Sequence, residues 1–234
     1  MRTSISLSIA LTLLVQATTT LAAVTTIRTG QVAGVPGSCN GSDDSFRFYT
    51  PNPNCGQPIL PTPFTAADFS AACVGPQAVV IQPYVVWSQS LACDPEARWI
   101  STATSPGSCF GEPTSALYCA RFQGVCSIAD SVRVCWSVDD FLGDPPSFPG
   151  PNPDGIYING TSLGAAFSGP GSNPTYTAVA TNVPLINGVN SLEVYQRDAG
   201  CGLGGLILNA KIYTSCGTVE TESMKWGRVK TLFR

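Results

Sequence analysis

The side chains in this chain with the chemistry to hold a ligand are mostly acids. Asp139, Asp140, Asp144 and Asp154 fall in one stretch rich in Pro, Gly and Asn. Carboxylates joined by loop carbonyls suit calcium, which takes 6–8 oxygen ligands. These four are therefore the candidate metal ligands, with calcium as the candidate cation. Their spacing is not that of an EF-hand, and the competing reading is turn capping, which aspartate performs through local backbone hydrogen bonds. A second set is Tyr195, Arg197 and Asp198, where a strand-like run meets a glycine-rich bend. An aromatic face, a fork of donors and an acceptor are the parts of a sugar site. The plainer alternative is an ordinary strand end. Asn40 and Asn159 each begin an Asn-Gly-Ser/Thr acceptor for N-glycosylation.

Absences narrow the chemistry further. The 234 residues contain no histidine, which removes Ser-His-Asp triads, Cys-His pairs and HExxH zinc sites. A glycosidase needs only two carboxylates. Outside the C-terminal stretch, however, the only glutamates are Glu96, Glu112 and Glu193, and most aspartates sit in turn-like contexts. A non-enzymatic role is expected. The formal net charge of −3 excludes a broad nucleic-acid footprint.

The elements that must position these groups read as strands. Val132, Val134, Trp136 and Val138 alternate with Arg133, Cys135 and Ser137, a period of two that puts one face in a core. Trp136 is thereby a core residue rather than a sugar platform. A long loop follows, then Ile156 and Ile158, then Asn159-Gly160 as a tight turn. Similar runs are expected at Phe46 and Phe48, at 78–87 with Pro83 marking an edge or bulge, at 97–100, 117–125, 176–181, 191–197 and 206–213. One short helix is expected over 66–72, capped by Thr65 with Asp68 at its third position. Seven to nine strands at this spacing suggest a sandwich.

Residues 1–23 have a charged start at Arg2, an apolar run over 5–15 and small residues at Ala22-Ala23, the form of a secretory signal. No later stretch is long and apolar enough for a transmembrane segment. All ten cysteines, Cys39, Cys55, Cys73, Cys93, Cys109, Cys119, Cys126, Cys135, Cys201 and Cys216, lie beyond it. An even number in an exported chain reads as up to five disulfides. Their pairing is open, though Cys39 and Cys55 flank one segment that they could close locally. Residues 24–57 read as a Cys/Pro-rich lead-in, 58–216 as the β-sandwich and 217–234 as a basic tail. The tail carries Lys225, Arg228, Lys230 and Arg234 with Trp226, Val229 and Phe233 at helical spacing. A solvated end is its plainest reading, and docking to a membrane or partner the sharper one.

The order Arg98-Trp99-Ile100, Trp136 to Asp140, Gly155 to Gly160, Gly188 to Val194 and Gly204 to Ala210 resembles galactose-binding-like jelly rolls of secreted and cell-surface proteins. The cysteines depart from that pattern. The resemblance implies an all-β, two-sheet antiparallel jelly-roll sandwich with one short helix and disulfides, and a carbohydrate-binding or adhesive module. Its partner would be a glycan or cell-surface glycoprotein, with self-association a further expectation. The alternative is a structural glycoprotein of a cell wall, sheath or extracellular matrix. The superfamily's ligands vary with its loops, so no ligand transfers.

Overall fold

The computed structural model describes residues 21–216. The expected signal over 1–23 lies almost wholly outside them, and the basic tail over 217–234 entirely so. In chain order the strands are β1 (Leu21–Arg28), β2 (Gln31–Val32), β3 (Val35–Pro36), β4 (Ser42–Tyr49), β5 (Gln77–Val80), β6 (Ile100–Ser101), β7 (Ala116–Gly124), β8 (Ile128–Asp139), β9 (Phe141–Leu142), β10 (Ile156–Ile158), β11 (Thr161–Ser162), β12 (Gly169–Pro170), β13 (Tyr176–Pro184), β14 (Gly188–Arg197) and β15 (Gly205–Cys216). One helix, α1 (Ala66–Val74), lies between β4 and β5.

Thirteen strands form one hydrogen-bonded antiparallel path, β11-β10-β14-β7-β4-β5-β6-β15-β8-β13 with β1, β9 and β12 on its flanks. The path curls so that β4, β7, β10 and β14 face β8, β13 and β15 across a core. Phe46, Tyr118, Leu192 and Val194 from one half pack in the same cluster as Val132, Val134, Trp136, Leu206 and Leu208 from the other. By pairing alone this is a single curled sheet, because the short β5 and β6 carry the ladder round the bend.

The period-two run at 132–138 is the inner face of β8, and Trp136 is buried between Phe167 and Tyr176. Asn159 and Gly160 both take positive φ (52° and 73°) between β10 and β11, the backbone of a tight I′-type turn. Helix α1 starts as expected: Asp68 Oδ2 accepts from the Thr65 N–H at 2.8 Å and from its hydroxyl at 2.6 Å.

Three expectations fail. The strand at 78–87 stops at Val80, because Pro83 cannot donate to a ladder and the chain turns away. The lead-in is no separate piece: β4 stands between β7 and β5 in the middle of the sheet. Cys39 and Cys55 do not close their own segment. The pairs are Cys39–Cys109, Cys55–Cys201, Cys73–Cys119 and Cys93–Cys135, spanning 42 to 146 residues. Cys126 and Cys216 are disulfide-bonded as well, and no cysteine is free. These bonds tie loops to the sheet across long separations, where cross-linking restricts the unfolded chain most.

Candidate site: a carboxylate cluster at one end of the sheet

Two strand ends build the site. β8 ends at Asp139 and β14 ends at Arg197, one residue before Asp198. The short β9 pairs back onto β14, Leu142 with Gln196 and Phe141 with Arg197. That register brings Asp139, Asp140 and Asp198 together. Two hydrogen bonds hold it: the Gln196 side-chain amide Nε2 donates to the Asp139 carbonyl at 2.7 Å, and the Asp140 backbone N–H to the Arg197 carbonyl at 3.3 Å. The Asp139–Asp140 peptide is cis.

Backbone donors from the glycine-rich bend take part of the negative charge. Asp140 Oδ2 accepts from the N–H groups of Ala199 (2.9 Å) and Gly200 (2.7 Å). Asp198 Oδ1 accepts from Gly200 (3.1 Å) and Cys201 (3.2 Å). The Cys55–Cys201 disulfide anchors this bend. The other oxygen of Asp198, Oδ2, is buried and has no partner, and Asp198 itself is 0% exposed. Among the described residues the ion pairs are Arg28 with Asp94 and Glu96, and Arg197 with Asp144. None reaches the trio.

Such crowding favours protons. Burial, then the charge and hydrogen bonding of Asp140, then Asp198, push the Asp139 carboxyl up to about 8. Burial first and Asp140 next push Asp198 up to about 6. A second way to neutralise three acids is a cation. The donors are hard oxygens, one of them unpartnered, and this set fits calcium or a similar hard ion. Its remaining positions would go to water or to ligand hydroxyls.

The other expected ligands stand elsewhere. Asp144 is buried and spent on the interior. Tyr195 donates its hydroxyl to Asp144 Oδ1 at 2.9 Å, the Asn152 N–H donates to Oδ2 at 2.9 Å, and Arg197 Nε lies 3.3 Å from Oδ1. That last contact is an ion pair without hydrogen-bond geometry, since Nε has no hydrogen-bond partner. Asp154 is half-buried, and its carbonyl accepts from the Tyr157 hydroxyl at 2.8 Å; no contact draws it to the trio. Tyr195 and Arg197 are 0% and 2% exposed, so neither offers a face to a sugar. Strand alternation separates them from Asp198: Tyr195 and Arg197 point to Asp144, while Gln196 and Asp198 point to Asp139 and Asp140. Asp198 is thus the member of the expected sugar set that joins the expected metal set.

A cleft of about 550 Å³ lies toward the opposite end of β14, lined by Phe64, Phe69, Arg121, Ile186, Val189 and Glu193 among others. Glu193 escaped the sequence reading because alternation puts it on the outward face. Helix α1 and Phe64 cover that face, and Glu193 is 1% exposed, so burial raises its pKa. Its carboxyl lies within 4.8 Å of Cys73 and Cys119. Those sulfurs are joined to each other, which leaves no thiolate for a metal. Asn159, at the cleft's rim, is tied down: its amide donates to Asn190 Oδ1 at 2.8 Å and its oxygen accepts from the Ser191 N–H at 2.9 Å. Asn40 is exposed, with its oxygen accepting from the Thr104 hydroxyl at 2.8 Å.

No protein-family model matches the chain, and no curated protein matches it. Among solved structures it is similar to a PA14 sugar-binding domain from an RTX adhesin, at 10% identity and a TM-score of 0.31. The similarity covers 77% of this chain and 96% of that one. The likeness is too distant to carry residue roles, and the site stands on its own geometry.

Proposed function

We propose that this chain is a secreted, non-enzymatic carbohydrate-binding or cell-surface adhesion module of the galactose-binding-like jelly-roll kind, and that it holds its glycan through a calcium ion. Asp139, Asp140 and Asp198 are the protein ligands, and the Gly200–Cys201 bend orients two of them. The observation that carries the reading is the buried, unpartnered Asp198 Oδ2 inside a cluster of acids that, among the described residues, no Lys or Arg neutralises. A buried charge without a partner is costly enough that a bound cation is the natural complement. The exposed side of such an ion takes sugar hydroxyls, which are neutral oxygen donors like the waters they replace. The disulfide-bonded β frame and the absence of histidine support an extracellular binding role over catalysis.

A glycan array with the oxidised protein, run with calcium and with chelator, tests this directly. Calcium-dependent glycan binding that disappears in Asp198→Asn is the expected result. A protein whose melting temperature and glycan binding are the same in calcium and in chelator is not this kind of module.

A further inference from the structure

The sheet path ends at β13, and we infer that this free edge pairs with a second copy of the chain, β13 against β13 about a two-fold axis. β13 is bonded along one side to β8. Among the described residues no strand pairs with its other side. An open edge is a row of unpaired N–H and C=O groups, which proteins usually blunt with charges, proline, a bulge or a covering loop.

β13 carries little of this protection. Residues 155–192 contain no charged side chain at all. The prolines stand at its limits, Pro174 before it and Pro184 at its last position. Its one backbone irregularity is Asn182, at φ 54°. Residues 176–181 therefore run regularly, paired one for one with residues 136–131 of β8. Thr177, Val179 and Thr181 are exposed, Val179 to 56%. Tyr176, Ala178 and Ala180 lean on the core.

The sequence of the edge identifies its occupant. Thr177-Ala178-Val179-Ala180-Thr181 reads the same in both directions. A two-fold interface must be self-complementary, and antiparallel pairing centred on Val179 makes it so. Val179 then faces Val179, Ala178 faces Ala180, and Thr177 faces Thr181. Threonine pairs and β-branched pairs are favourable across antiparallel strands, and like charges, which oppose such pairing, are absent. An unrelated partner strand would gain nothing from the palindrome. The inference uses none of the acidic trio, so it stands or falls apart from the glycan reading.

Sedimentation equilibrium of the oxidised protein at rising concentration, in chelator, reads the outcome. The mass is expected to climb from one chain toward two. Val179→Lys, at an exposed position, sets two ammonium groups opposite each other and should hold the mass at one chain with an unchanged circular dichroism spectrum. Mixing V179K with V179E should restore the dimer, because only this register places position 179 opposite itself. Val179→Cys should cross-link to itself under mild oxidation, whereas Val189→Cys, half exposed on β14, should not. A wild-type mass of one chain at every concentration overturns the inference, and so does a V179K protein that dimerises like wild type or a mixed pair that stays monomeric.

Discussion

Two groups of acids lie beside the ends of β8, β9 and β14, and they are treated in opposite ways. Asp144 is buried but answered: a guanidinium, a phenol and a backbone N–H all address it. Asp139, Asp140 and Asp198 are less deeply placed on average, yet the donors that reach them are backbone N–H groups at Asp140 and Asp198 alone, and Asp198 Oδ2 has no partner. Burial raises the pKa of Asp144 too, but its partners pull against the shift. For Asp139 and Asp198 the neighbouring acids add to it. The difference separates a carboxylate that holds the fold from carboxylates that no ion pair balances among the described residues. Sequence spacing grouped Asp144 and Asp154 with Asp139 and Asp140, while the pairing of β9 with β14 sorts them apart.

The sharpest way to break this contrast is to remove the answer at Asp144. Arg197→Met leaves a buried carboxylate without its cation, and stranding one member of a buried pair costs about 3–5 kcal/mol. Urea unfolding should show a loss of that order, with or without calcium. Asp198→Asn should do the reverse in chelator, leaving stability equal or higher, since it removes an unpartnered charge. Equal losses in both variants would erase the distinction.

Calcium should act on one group and not on the other. At a free concentration 100 times the dissociation constant, an ion that binds only the folded state adds about 2.7 kcal/mol. That gain should vanish in Asp198→Asn and Asp140→Asn and persist in Tyr195→Phe, as read by melting temperature. A gain that survives both trio variants would move the cation to another place.

Proton linkage refines the comparison. A carboxyl whose pKa is higher in the folded state than the ordinary 3.8 binds its proton more tightly when folded, so stability falls as pH rises between the two values. For Asp198 that window runs from about 4 to about 6, and for Asp139 from about 4 to about 8. Metal-free protein should therefore lose stability steadily from pH 4 to pH 8. Asp43, Asp144 and Glu193 are shifted the same way by burial, so the double variant Asp139→Asn, Asp198→Asn isolates these two: its slope should be shallower by the share of both residues between about pH 4 and 6, and by that of Asp139 alone from about pH 6 to 8. An unchanged slope would mean that the trio does not hold protons as its crowding implies.

Much of the frame was legible because it rests on local pattern. Val132 to Val138, the Asn159-Gly160 turn and the Thr65-Asp68 cap each declare themselves within a few residues. What was hidden depends on distant partners. Glu193 alternates outward and is buried only because α1 packs over it. Tyr195 and Arg197 look like an exposed strand end until the Gly56 carbonyl, 141 residues away, receives the Arg197 guanidinium at 2.9 Å. Cys55 finds Cys201 across 146 residues, and no spacing rule supplies that pairing. The trio was half legible: Asp139 and Asp140 stood out as a pair, and Asp198 was assigned to a sugar rather than to an ion.

The smallest expected effect probes how Asp144 is shared between its partners. Tyr195→Phe removes the 2.9 Å hydroxyl contact and keeps the ring, which packs edge-on against Phe64 at 5.0 Å. Loss of one hydrogen bond to a charged acceptor costs on the order of 1.5–3 kcal/mol; with Arg197 and the Asn152 N–H still in place, the lower end applies. The same change removes a contact that lowers the pKa of Asp144, so that carboxyl should titrate higher. The carbon chemical shift of Asp144 followed against pH reads this without reference to stability. If its midpoint stays put while stability drops, the phenol serves packing alone, and the guanidinium and the backbone carry the charge of Asp144.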